Sequence, residues 1–384
     1  MRLTSVLTSI ATACLALLGT TAVNAQNIGN PPMATDGLII VEGANEMFGN
    51  RTNAGVKSAE KGKYIVLESK ATTGYTMVSR QTKFPYNELI PSWNVWCPKG
   101  AGVRLLLSTA VTPGNNDWFE AARWGDYQFP YPVEFKQKVP GGEYVTDTLL
   151  LKGTSSYISW RVEFYRGSTN IESPKLSLLA ASYSNTLKKK KIYAAYGDKR
   201  PFFMEPTGKK FQLDVPYTTQ VVSDKSRVNE ICSPTSVVTA IAKFGIRADL
   251  DRACDLVYEP YEKIYGNWIR AVSLGSQFGA RGYITRFRNI SQVNETLRKG
   301  YTICASIKFP DNAVPKDELP LMYGNRGTDG HLICLIGIDK DGWIITHDSA
   351  SRKNGVACRW SQNAMKKVWV DARGGVGYVF TGKR

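Results

Sequence analysis

The sequence predicts an all-β sandwich domain followed by an α+β domain, and three observations carry that prediction. Between residues 34 and 187, short runs of alternating apolar residues are punctuated by Gly, Pro, Asn and Asp, the pattern of half-buried strands joined by turns. From about residue 212 helical and strand patterns alternate instead. Between the two lies a connector. The run Lys188-Lys189-Lys190-Lys191 reads as solvated chain, and Pro201, Pro206 and Gly208 keep the rest of the connector extended and turn-rich. The 384 residues suffice for two cores.

The first 25 residues are set apart from both domains. Met1-Arg2 gives a short positive start, residues 6–18 are mostly apolar or small, and Val23-Asn24-Ala25 offers a cleavage site before Gln26. That is the build of a secretory signal peptide. The apolar stretch is too short, and too broken by small residues, to span a bilayer. The expected organisation is a signal peptide at 1–25, a jelly-roll-like β-sandwich at 34–187, a linker at 188–211 and an α+β domain at 212–384. The expected location is secreted, periplasmic or at the cell surface after cleavage near Ala25, with no transmembrane segment in the mature chain.

Strands are predicted at 37–41, 63–67, 103–108, 144–151 and 157–165 of the first domain. At that spacing, over about 150 residues, they make a sandwich or jelly roll. In the second domain Val237, Val238, Ile241 and Phe244 fall at helical spacing and predict a helix over 234–244. Pro234 suits its first turn and Gly245 its stop. Further helices are predicted at 267–278 and at 291–298, the latter with Ser291 as cap and Gly300 as stop. Strands are predicted at 301–309, 331–338, 342–347 and 376–381.

Lys and Arg number 49 against 33 Asp and Glu, a formal charge of +16. An exported protein this basic is drawn to anionic surfaces such as acidic wall polymers, lipopolysaccharide or acidic polysaccharide. The charge is spread along the chain and no nucleic-acid-binding motif accompanies it. Six cysteines remain after the predicted cleavage: Cys97, Cys232, Cys254, Cys304, Cys334 and Cys358. Cys97 stands alone in the first domain, and Cys304 and Cys334 sit in apolar runs where a thiol behaves as a small hydrophobe. At most one disulfide is expected.

The chain carries no Walker loop, no HExxH and no calcium loop, and it has two histidines. No metal or organic cofactor is expected. What remains is a thiol, two imidazoles and carboxylates. A free thiol is mostly protonated at neutral pH and needs an imidazole or a helix N-terminus to become a nucleophile. Cys232 lies just before the predicted start of the 234–244 helix, whose dipole favours a thiolate there. By position alone it is as well read as a buried small residue. His331 follows the glycine-rich stretch Gly324-Asn-Arg-Gly-Thr-Asp-Gly330 and begins an apolar strand; it too reads as an ordinary edge histidine when taken singly. The turn at Asp339-Lys-Asp-Gly342 predicts a hairpin, which brings His331 and Asp348 to one open end. His347 then points to the opposite face and is the poorer base. Gln220, twelve positions before Cys232, is a side-chain amide near the thiol.

Together, Val215-Pro-Tyr-Thr-Thr-Gln220, Cys232-Ser-Pro-Thr-Ser236, Gly330-His331 and His347-Asp348 resemble the peptidase C39-like family over residues 212–384. The resemblance implies a papain-like fold and a cysteine peptidase, with Cys232 as nucleophile, His331 as general base and acid, Asp348 as the residue orienting the histidine, and Gln220 as oxyanion donor. Ser233 stands where many members have glycine, and Ser349 where many have proline; neither removes a reacting group. Phe84-Pro-Tyr-Asn-Glu-Leu-Ile-Pro-Ser-Trp93 and Asp147-Thr-Leu-Leu-Leu151 resemble the β-rich module of some exported bacterial members. That module is expected either to bind carbohydrate or an anionic cell-surface polymer, with Trp93, Trp96, Trp118 and Trp124 stacking on sugars, or to cover the peptidase with those tryptophans in its core. The implied partner is a peptide or protein substrate. Two other readings stay open: a cysteine amidase or endopeptidase acting on peptidoglycan, and a non-catalytic surface-binding protein. The segment 311–330 has the length and glycine content of a lid.

Overall fold

The computed structural model describes residues 34–48, 52–110, 113–114, 117–130, 136–187, 193–195 and 197–384. The predicted signal peptide at 1–25 and the lysine run 188–191 lie outside the described residues. Among the described residues no helix is long and apolar enough to cross a membrane.

The first region is all-β. Its main path runs in the order Tyr193–Ala195, Ala34–Glu42, Lys175–Asn185, Thr73–Trp96, Thr148–Arg166, Ala101–Ser108 and Phe119–Gly125. Along this path only the first pairing is parallel. Two long strands organise it. Thr73–Trp96 pairs with Thr148–Arg166 between Thr73 and Leu89, and with Lys175–Asn185 between Glu88 and Trp96. Pro85, which has no N–H to give a ladder, sits beside two register shifts in the pairing with Thr148–Arg166. A short helix, α1 (Gly43–Phe48), buries Ala44 and Met47 against this sheet.

Burial along Thr73–Trp96 reports what covers it. Thr76 and Val78 are buried between more open neighbours, the signature of one covered face, whereas Leu89 to Val95 are buried almost without interruption. A strand that is apolar on both sides needs a second layer, and here the second layer is the other region of the chain. Helix α4 (Trp268–Gln277) and the strand Ala280–Arg286 lie across it. Polar side chains set the register of this contact. Trp93 Nε1 donates to Ser273 Oγ at 2.7 Å. Asn94 exchanges two hydrogen bonds with the backbone of Gly282. Gln277 accepts from Cys97 N and Trp124 Nε1 and donates to Cys97 O. Asp147 accepts the Trp268 N–H in the first turn of α4. Asp36 pairs through both carboxylate oxygens with Arg288, and both residues are buried. Apolar packing is continuous across the junction. Trp93 and Trp124 are 0 % and 1 % exposed, which decides for these two between the expected readings: they are core and interface residues and do not stack on sugars.

The second region is α+β. Its sheet has the order Ala280–Arg286, Val376–Lys383, Thr302–Phe309, Thr328–Ile338, Ile344–His347 and Cys358–Trp360, with Phe211–Gln212 paired to Thr328–Ile338. Every pairing is antiparallel. Helix α2 (Cys232–Ala242) packs on the sheet, with α3 (Leu250–Val257) and α4 beside it, and α5 (Ile290–Arg298) and α6 (Gln362–Met365) come later in the chain. Gly275 of α4 is required by this packing, since a Cβ there would fall 2.3 Å from the Phe380 ring. The 188–211 segment, where it is described, is bonded along its length. Arg200 pairs with Glu295, Met204 N donates to Gln362 Oε1, and Gly208 N donates to Lys340 O.

Several local expectations change. Helix α2 begins at Cys232, two residues before the predicted start, so the thiol is on its first turn rather than ahead of it. The strand expected to begin at His331 begins at Thr328. The cap of α5 is Asn289, whose side chain accepts the Gln292 N–H, and not Ser291. Helix α3, with Asp249 as its cap, was not anticipated. All six described cysteines are free.

The buried Asp36–Arg288 pair ties the first strand of one region to the other region. Removing one partner strands the other charge, which costs about 3–5 kcal/mol. Asp36→Ala is therefore expected to lower the unfolding free energy by that amount in a denaturant titration. Because the core is shared, tryptophan fluorescence and far-ultraviolet dichroism are expected to lose signal in one coincident transition.

Candidate active site

Helix α2 is wedged into the middle of the second region, with Ser233 to Ile241 buried. An 11-residue helix this buried must satisfy its polar side chains internally. Thr235 Oγ1 donates to Ile231 O, Ser236 Oγ to Leu332 O, and the Cys304 thiol to Ser236 O. Pro234 lies in the first turn, where its missing N–H costs nothing. These contacts fix the helix against the strand Thr328–Ile338 and leave Cys232 half-buried at its positive end.

The predicted hairpin is present. Asp339 Oδ1 accepts from Asp341 N and Trp343 N, and Gly342 N donates to Asp339 O. The two strands then run back antiparallel, with one register shift between Gly337 and Leu335, and Cys334 lies opposite His347. His331 and Asp348 meet at the open end, His331 Nε2 to Asp348 Oδ1 at 2.7 Å. Asp348 is fully buried and its remaining capacity is used. Tyr323 Oη donates to Oδ2 at 2.6 Å and Ala350 N to Oδ1. The backbone around it is equally held: Asp348 N donates to Gly355 O, and Tyr217 Oη donates to Asp348 O. Gly355 has to be glycine, because a Cβ would lie 1.9 Å from the Asp348 carbonyl oxygen.

With Nε2 given to Asp348, Nδ1 is the nitrogen left for the thiol. The two groups set each other's charge. Burial opposes ionisation of Cys232, but the hydrogen bond and charge of His331, helped by the backbone at Leu332, outweigh it and lower the thiol pKa. Burial disfavours the imidazolium, but the charge and hydrogen bond of Asp348, and then Cys232, raise His331 to about 10. Burial pushes Asp348 up, and His331 and Tyr323 more than reverse it. Both shifts run in the direction of a thiolate–imidazolium pair. Cys97, Cys254, Cys304 and Cys358 go the other way, with burial raising each thiol pKa.

Gln220 joins the same cleft from the segment before α2. Its Nε2 donates to Val228 O at 2.6 Å, its Oε1 accepts from Ser349 Oγ, and its own N–H donates to Ser349 O. Gln220 and His331 line a cleft of about 440 Å³. His347 is elsewhere: Nε2 donates to Val215 O and Nδ1 accepts from Ala357 N, so both nitrogens are committed and burial keeps the ring neutral. Tyr323 is the participant that the sequence reading missed. It comes from the 311–330 segment, 8 % exposed, packed on Phe309 and Trp360. With Glu318 also bonded to Ser361, the segment is anchored to the core at two points.

Asp348→Asn keeps the shape but removes the charge that raises His331. The His331 pKa is expected to fall from about 10 by at least about one unit, read by nitrogen NMR of the two histidines, with His347→Gln to assign the signal. An unchanged titration would show that Asp348 does not set the imidazole charge. Tyr323→Phe is expected to cost about 1–3 kcal/mol by chemical denaturation, the penalty for a buried acceptor losing a donor.

Residues 212–376 match the Peptidase_C39 like family, and residues 44–184 match the Peptidase C39 N-terminal domain. No curated protein matches the chain. Among solved structures, a C39-like peptidase from Bacillus anthracis is similar at 16 % identity and a TM-score of 0.34, over 46 % of this chain and 98 % of that one. A double glycine motif protease from an AMS/PCAT transporter, in complex with the leader peptide, is similar at 13 % identity and a TM-score of 0.28, over 44 % and 92 %. TmCBM61 in complex with β-1,4-galactotriose is similar at 8 % identity and a TM-score of 0.18, over 42 % and 96 %. The two matched segments fall in the two structural regions: residues 212–376 form a domain of the peptidase C39-like family, preceded by a C39 N-terminal domain at residues 44–184.

Proposed function

We propose that the protein is an exported cysteine peptidase that hydrolyses peptide bonds through Cys232, His331 and Asp348, with Gln220 as oxyanion donor. The observation that carries the proposal is the opposed pair of pKa shifts, the Cys232 thiol lowered and the His331 imidazole raised, between groups at a helix N-terminus and a cleft. A thiolate beside an imidazolium is a nucleophile with its proton donor already in place. The thiolate attacks the substrate carbonyl carbon and forms a tetrahedral oxyanion. The Gln220 amide has one N–H given to Val228 and a second to offer that oxygen. His331 Nδ1 protonates the departing amine, leaving a thioester. It then takes a proton from water, whose oxygen attacks the thioester and releases the acid. Asp348 holds the ring and stabilises its charge through both steps without itself taking the proton.

The signal peptide read from residues 1–25 supports export. The N-terminal module supports the peptidase mechanically, by supplying one wall of the core under α4.

Alkylation of each cysteine by iodoacetamide, followed by mass spectrometry across pH, tests the proposal without knowledge of a substrate. Cys232 is expected to react rapidly below about pH 8, the range where an ordinary thiol is mostly protonated. The His331→Ala variant is expected to lose that reactivity, because the charge and hydrogen bond that do most to offset burial are then gone. Reaction of Cys232 only at the pH of an ordinary thiol would overturn the assignment. With a substrate in hand, rate against pH is expected to be bell-shaped. Its acid limb follows loss of the thiolate, and its alkaline limb follows deprotonation of His331 at about 10.

A further inference from the structure

The cleft that carries His331 has a charge character of its own. Two cationic side chains, Lys225 and Arg352, line it with Gln220 and Asn229, and among the described residues no carboxylate does. Carboxylates of the adjoining segments are turned to other work. Asp224 caps its own turn by accepting from Ser226, Asp251 and Asp255 pair with Arg227 behind it, and Asp348 is buried under His331. Glu230 is exposed beside Asn229 and does not line the cleft. Lys225 is anchored by donating to Val222 O, which fixes its ammonium near the rim. Arg352 is exposed and makes no ion pair among the described residues, so its guanidinium fork remains available. The two cations come from separate segments, one before α2 and one after Asp348, and both border the same cleft.

We propose that this cleft selects a carboxylate-bearing peptide, the anionic group seating between Lys225 and Arg352. This rests on the peptidase reading for the role of the bound peptide, but the anion preference is a property of the cleft whether or not a bond is cut. A carboxylate reaches the site in two ways, as an Asp or Glu side chain or as a free peptide C-terminus, and the chemistry of recognition is the same.

The test compares two reagents at one thiol. Iodoacetate and iodoacetamide alkylate Cys232 by the same chemistry, but only the first carries a carboxylate. The ratio of their rates at Cys232 is measured in the wild type and in the Lys225→Glu/Arg352→Glu double variant, at a pH where both reagents react measurably. The ratio is expected to fall at least about fivefold on charge reversal, the effect of an exposed unit charge at close range, and to fall with added salt in the wild type. An unchanged ratio would overturn the proposal. Slow reaction of Cys232 with both reagents below about pH 8, with the ratio still shifted, would instead count against the thiolate reading and leave the anion site standing. Protection of Cys232 by short peptides then identifies the source. Acetylated, amidated peptides with Glu protecting better than their Gln or Lys counterparts mark a side-chain carboxylate, and peptides protecting only with a free C-terminus mark a terminal one. Equal protection by all sets speaks against anion selection.

Discussion

Asp348 is the group on which the candidate site depends. It is a carboxylate with no exposure, and a buried charge persists only where its lone pairs are filled and a counter-charge stands beside it. His331, Tyr323 and the Ala350 N–H fill them. The cost of burying Asp348 is thereby turned into a demand that His331 stay protonated, and the protonated ring in turn lowers the Cys232 thiol. The chain of charge runs from the core outward, and each link needs the one beneath it.

The core that holds Asp348 is built from both regions. Helix α2 presents Cys232, and α4 lies beside it with its far side covered by the β region. Trp93, Asn94, Cys97, Trp124 and Asp147 contact α4 and the strand after it by hydrogen bonds as well as by packing. Hydrogen bonds between buried groups are directional and costly to leave unmade, so they fix a single docking of the two regions. A module attached by a flexible tether would need none of them. Here the β region serves as a structural layer of the peptidase domain.

The cleft brings together segments that are distant in the chain. Gln220, Lys225 and Asn229 precede α2, His331 lies in a strand, and Ser349 and Arg352 follow Asp348. Ser349 joins two of these segments by donating to Gln220, so the donor side and the imidazole side of the cleft are mechanically linked.

Much of this was legible in the chain. Alternating apolar residues in the first half and helical spacing in the second gave the two classes of region, because periodicity is a direct consequence of backbone geometry. The turn at Asp339-Gly342 placed His331 and Asp348 at one end, since a hairpin leaves little freedom in register. Strand and helix ends slipped by two or three residues, as at Thr328 and Asn289, where several residues compete for one cap or first pair. Tyr323 was not legible, and the burial of Trp93 and Trp124 and the covering of the second region by the β region stood only as one of two readings. A tyrosine in a glycine-rich loop, or a tryptophan in a strand, has the same local signal whether it faces water or a partner 180 residues away. Residue order was enough to say which class of element dominates each half and which reactive groups the chain possesses, because both are local properties. Which of those groups are desolvated together depends on contacts between distant segments, and desolvation sets their charge.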